Sequence, residues 1–169
     1  MTTDKTDEVV SGATAKVKKL KLSPSKSVAA LVHVFTGLGA VCAFLATLAV
    51  ISNSWEQVFF WLAIAFVVDG LDGPMARALD VGERLKRFSG ERLDLVVDYL
   101  TYVFVPVLAL RFADFLPGTF GLVLCCAILL SSLFHFADVD SKSDTNHFVG
   151  FPAVWNIVAF HIFAFGPSA

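Results

Sequence analysis

The chain has 169 residues, 56% of them hydrophobic and only 17% charged, whereas a soluble domain carries nearer a quarter of charged residues. A net charge of −2 gives no basis for binding nucleic acid. Cys42, Cys125 and Cys126 all lie in apolar runs, which argues against a disulfide framework or a zinc site and for small core residues.

Residues 1–27 form a polar, lysine-rich segment whose start has too few large apolar side chains to fold. Within it, 15–22 is equally readable as a short surface-lying stretch or as plain coil. Residues 28–169 read as a transmembrane domain. The first apolar run, Val28–Ile51, is too long for a signal peptide and has no small-residue cleavage site after it, so it reads as a retained helix. Further runs of spanning length, roughly 20 residues each, cover Trp55–Ala76, Leu93–Phe112, Thr119–Ala137 and Phe148–Phe165. The expected fold is therefore all-α, a polytopic bundle of five transmembrane spans.

Lys16, Lys18, Lys19, Lys21 and Lys26 precede the first span, and Arg84, Lys86 and Arg87 lie between the second and third. Lys142 lies between the fourth and fifth, and the opposite side holds only Arg111. By the bias of basic residues toward the cytoplasm, the amino terminus and the loop joining spans two and three are expected there.

Asp69 and Asp72 end the second run, and Asp94 and Asp98 begin the third. A carboxylate in the bilayer costs a few kcal/mol or more, so four of them with Arg77 read as a buried polar site. Separations of three and four residues put each pair on one helix face. Two helices joined by a short loop run antiparallel, so the pairs are expected to face each other. Carboxylates gathered at low dielectric need cations, and hard oxygen donors favour Mg²⁺ or Mn²⁺. Gly70, Gly73 and Gly90 leave room for a phosphate or nucleotide to approach the backbone. Arg77, one turn beyond Gly73, offers a fork of donors to phosphate oxygens.

The run Asp69-Gly70-Leu71-Asp72-Gly73-Pro74-Met75-Ala76-Arg77 is followed, after twelve residues, by Gly90-Glu91-Arg92-Leu93-Asp94-Leu95-Val96-Val97-Asp98. This resembles the signature of the CDP-alcohol phosphotransferase family, D-x2-D-G-x2-A-R followed by G-x3-D-x3-D, with every fixed position present. The Gly after the first Asp and the long spacer are most similar to the family's bacterial phosphatidylcholine-forming branch. His147–Asn156 and Val32–Gly37 resemble that branch too, so the likeness covers about 30–165.

The resemblance implies a metal-dependent phosphatidyltransferase that joins choline to CDP-diacylglycerol, giving phosphatidylcholine and CMP. It implies Mn²⁺ or Mg²⁺ at Asp69, Asp72 and Asp94 with Asp98 close by, and Asp98 as the general base for the choline hydroxyl. Asp69, Gly73, Ala76, Arg77 and Gly90 would bind the nucleotide. It further implies a bacterial inner (cytoplasmic) membrane, an active site facing the cytoplasm, and a homodimer. Family members carry six or more spans, so a closing helix beyond Ala169, or a partner subunit, is expected to complete the bundle.

A quaternary ammonium offers no N–H and calls for aromatic faces. Tyr99, Tyr102, Phe151 and Trp155 are the choline candidates, with Phe136 and Phe148 behind them; ordinary packing is the competing reading for each. His33 and His161 read as packing histidines. Thr36 either touches nucleotide or bonds its own helix, and Asn156 either meets a helix or a substrate. His135, His147, Asp138, Asp140 and Asp144 read as a solvated loop before a second metal site, and Asp80 and Glu83 as loop solvation. Two other functions compete. One is a relative using glycerol phosphate, serine or inositol phosphate as acceptor, with Arg84, Lys86, Arg87 and Arg92 as its basic cluster. The other is an ion transporter, which predicts acids spread through the membrane depth rather than gathered at one end.

Overall fold

The computed structural model describes residues 26–79, 89–138 and 154–166, all helix or short connections between helices. Helix α1 is Lys26–Ile51, α2 is Trp55–Ala78, and α3 is Gly90–Asp98. A π-helical stretch, Tyr99–Phe104, continues α3 without a break into α4, Val105–Phe112. Helix α5 is Gly118–Ala137 and α6 is Trp155–Phe165. Four segments are long and apolar enough to cross a membrane: Ala30–Ile51, Trp55–Ala78, Gly90–Phe112 and Gly118–Ala137. The fifth expected span is described over the 11 residues of α6; its residues 148–153, the loop basic residues Arg84, Lys86, Arg87 and Lys142, and residues 1–25 lie outside the described part.

Each long helix buries a narrow stripe and exposes large apolar side chains, the pattern of a bundle whose outer solvent is lipid. On α1 the inward stripe runs Val32, Thr36, Ala43, Ala46 and Val50, while Leu31, Val34, Leu38, Val41, Phe44 and Leu48 are exposed. Small residues on the stripe admit close neighbours: a Cβ on Gly39 would collide with Val97 Cγ1 of α3. The hydroxyls of Thr36 and Thr47 donate to the carbonyls of Val32 and Ala43, at 3.3 and 2.8 Å, so both polar groups are satisfied within the helix. Between α1 and α2, Asn53 takes a left-handed φ of 53°. Ser54 N–H then donates back to Ala49 O at 2.9 Å, which satisfies an end carbonyl of α1.

The buried stripe of α2 runs Val58, Leu62, Ala65, Val68 and Asp72, so an apolar stripe ends on a carboxylate. Pro74 sits inside α2 and has no N–H to give the carbonyl of Gly70. Ser89 caps α3 by accepting the N–H of Arg92 at 3.3 Å, and the third span therefore begins at Gly90, three residues before its apolar run. The π-helical stretch ends two residues before Pro106. A proline lacks the N–H that would close the preceding α turn, and the wider register accommodates it.

Helix α1 is the central element and packs closely along α2, α3 and α4. Helix α2 comes closest to the third span at the π-helical stretch. The expected face-to-face pairing of spans two and three is thus mediated by α1, which leaves a cleft between α2 and α3 floored by α1. The other end of the bundle is closed by aromatics: Phe163 of α6 lies 5.1 Å from Trp55, 5.1 Å from Phe59 and 5.0 Å from Phe115, centroid to centroid.

Candidate active site

The last turns of α2, beside its buried stripe, and the first turns of α3 bring three acids together. Asp69, Asp94 and Asp98 each offer a carboxylate oxygen, and these atoms lie within 4.8 Å of one another. Asp98 is buried, and its Oδ1 meets no hydrogen-bond partner among the described residues. Converging carboxylates with an orphaned buried oxygen are costly alone and fit the oxygen donor set of a hard divalent cation. Asp72 is also buried but stands outside this trio, in the cleft wall with Thr36.

Beside the acids lies a cavity of about 250 Å³ lined by α1, α2 and α3. Asp72, Gly73, Ala76 and Arg77 come from α2, and Gly90 and Asp94 from α3. Every residue named from the signature as nucleotide-binding, Asp69 apart, lines this cavity, and Asp69 stands in the adjoining trio. The Arg77 guanidinium folds back over its own helix: a Cβ on Gly73 would sit 3.2 Å from Arg77 Nη1. A Cβ on Gly90 would lie 3.0 Å from His33 Cε1, so the start of α3 rests directly on α1. The first turns of α3 thus form part of the cavity wall, where Gly90, Glu91 and Asp94 line it.

Three lining residues were undervalued or missed in the sequence. His33, read as packing, and Thr36 both line the cavity, as does Glu91. The available signal was depth: His33 and Thr36 begin α1 at the membrane end where α2 finishes and α3 starts.

The aromatic candidates separate. Tyr102 donates its hydroxyl to Asp69 Oδ2 at 2.6 Å. Tyr99 donates to the Leu129 carbonyl at 3.0 Å and meets Phe136 edge-on, with centroids 6.1 Å apart. Trp155 packs on the same cluster, formed with Val103, Val107, Cys125 and Ile128. Phe148, Phe151, His147, Asp140 and Asp144 lie outside the described residues. Asn156 accepts from the Ile157 N–H at 2.9 Å and lines an apolar groove with Phe59, Phe66 and Phe160 that contains none of the acids. His161 bonds the Ile157 carbonyl at 2.9 Å on an exposed face.

The sequence profile of the CDP-alcohol phosphatidyltransferases matches residues 27–167. The chain belongs to this family. Among curated relatives, it is 46% identical over 145 residues to the phosphatidylcholine synthase of Bradyrhizobium diazoefficiens, covering 85% of this chain and 54% of the relative. The phosphatidylcholine synthase of Pseudomonas aeruginosa is 46% identical over 145 residues, covering 85% and 61%. That of Borreliella burgdorferi is 34% identical over 127 residues, covering 75% and 54%. The chain thus spans a little over half the length of these relatives. No solved structure matches it. Family and fold together make it a multi-pass membrane protein, and the ion-transport alternative loses its support.

Proposed function

We propose that the chain carries the catalytic part of a phosphatidylcholine synthase, which transfers the phosphatidyl group of CDP-diacylglycerol to choline and releases CMP. The observation that carries this reading is the meeting of Asp69, Asp94 and Asp98 at the edge of a cleft lined by Asp72, Gly73, Arg77 and Gly90. The relatives' names select choline among acceptors.

Asp69, Asp94 and Asp98, with Asp72 in the adjoining cleft wall, would hold Mn²⁺ or Mg²⁺, which when bound would neutralise diphosphate charge and stabilise the leaving phosphate. Arg77 binds phosphate oxygens with its guanidinium, and Gly73 and Gly90 let the nucleotide lie against the backbone. Asp98 takes the hydroxyl proton of choline on a carboxylate oxygen. The choline oxygen forms its bond to the β-phosphorus, the bond from that phosphorus to the bridging oxygen breaks, and CMP leaves with the electron pair. Tyr99 and Trp155 supply aromatic faces for the trimethylammonium group. The acyl chains stay in lipid while the nucleotide enters from the end of the bundle where α2 finishes and α3 starts. The basic residues of the amino terminus and of the 78–89 segment place that end, in this reading, on the cytoplasmic face of a bacterial inner membrane.

Membranes containing the chain, given CDP-diacylglycerol, Mn²⁺ and one labelled acceptor at a time, test the reading. Label in phosphatidylcholine from choline is the expected result. Label taken from glycerol 3-phosphate or serine instead of choline would sink the acceptor and keep the family.

A further inference from the structure

We infer that Tyr102 is a positioning residue of the acid cluster, holding the Asp69 carboxylate in the orientation that faces Asp94 and Asp98. This rests on the metal-dependent reading above and goes beyond it, because no residue of the signature performs that task. The hydroxyl of Tyr102 donates to Asp69 Oδ2 at 2.6 Å, the short distance of a bond to a charged acceptor. A carboxylate has about four lone-pair sites. One donor on Oδ2 therefore fixes the rotamer and leaves most of the acceptor capacity for an ion. Partners of this kind orient the groups that touch a metal.

The backbone explains why Tyr102 can reach. It lies in the π-helical stretch Tyr99–Phe104, where α2 makes its closest approach to the third span. Its ring is held edge-on by Phe66 of α2, with centroids 6.4 Å apart, and packs on the cluster around Val103 and Val107. The phenol is thus clamped between two helices with its oxygen aimed at the acids. An aromatic face offered to choline would need the ring; the positioning role needs the hydroxyl.

Tyr102→Phe keeps the ring and removes only the hydroxyl, so it separates the two. Purified wild-type chain, Tyr102→Phe and Asp69→Asn in lipid nanodiscs would be titrated with Mn²⁺, with free ion read by electron paramagnetic resonance. Choline KM would be measured at saturating Mn²⁺. The expected result is a loss of Mn²⁺ affinity of about tenfold or more in Tyr102→Phe, with choline KM unchanged. Wild-type Mn²⁺ affinity in Tyr102→Phe overturns the inference alone. Unchanged Mn²⁺ affinity with a raised choline KM overturns it and returns Tyr102 to the acceptor site. A wild-type chain that binds no Mn²⁺ overturns the metal centre, and this inference with it.

Discussion

At the scale of single residues, glycine positions set what the cleft can hold. Gly73 lets Arg77 lie over the helix backbone, since a Cβ there would come within 3.2 Å of the guanidinium. Gly73→Ala therefore displaces the Arg77 guanidinium, the proposed phosphate binder, without removing it. The expected outcome is a CDP-diacylglycerol KM raised about tenfold, roughly 1.4 kcal/mol, with choline KM unchanged; steady-state kinetics with each substrate varied checks this. The signature made the acids and Arg77 readable because charged side chains are expensive in a membrane helix, and the glycines readable only by their spacing from them. His33 was not readable as a site residue, because a single polar residue on an apolar helix carries no pattern of its own, and Thr36 was readable only as an even choice between nucleotide and its own helix. Only the meeting of three helices turns them toward the cleft.

At the scale of elements, hydropathy placed the first four spans to within a few residues of the helices, while the fifth is described only over Trp155–Phe165. The start of α3 was set by the Ser89 cap, a signal that apolar runs do not contain. The π-helical stretch was hidden for a related reason: hydropathy reports burial and not hydrogen-bond register. The central role of α1 was hidden too, since the acids that mark the site all lie on its neighbours. Yet Gly39 marks the contact, where α1 and α3 come too close for a Cβ against Val97. Gly39→Ala is expected to lower stability by about 1–3 kcal/mol, and Val97→Ala in the same chain is expected to restore most of it. Thermal unfolding in detergent measures both. A Gly39→Ala chain as stable as wild type would mean that the helices are not packed this tightly.

At the scale of the whole molecule, the bundle is polarised. One end gathers the carboxylates, the glycines and Arg77, and the other end closes with Trp55, Phe59, Phe115 and Phe163. In the proposed orientation, Ser89 lies at the cytoplasmic end, and Asn53 and Asp114 at the opposite end. In a chain whose own cysteines are replaced by serine, Ser89→Cys should react with a membrane-impermeant maleimide only in inside-out vesicles. Asn53→Cys and Asp114→Cys should react only in right-side-out vesicles. The reverse pattern would move the site to the other face and deny it cytosolic choline.

The central claim is that the acid trio performs phosphatidyl transfer with Asp98 as its base. The most direct test is formation of labelled phosphatidylcholine from labelled choline and CDP-diacylglycerol by wild-type chain and Asp98→Asn, each with Mn²⁺ and with excess chelator. The amide keeps the shape of the side chain and loses the basic oxygen. The account predicts label in phosphatidylcholine from the wild type, a loss of about 10²-fold or more in Asp98→Asn, and abolition by chelator. Transfer by Asp98→Asn at the wild-type rate, or wild-type transfer that survives the chelator, would contradict it.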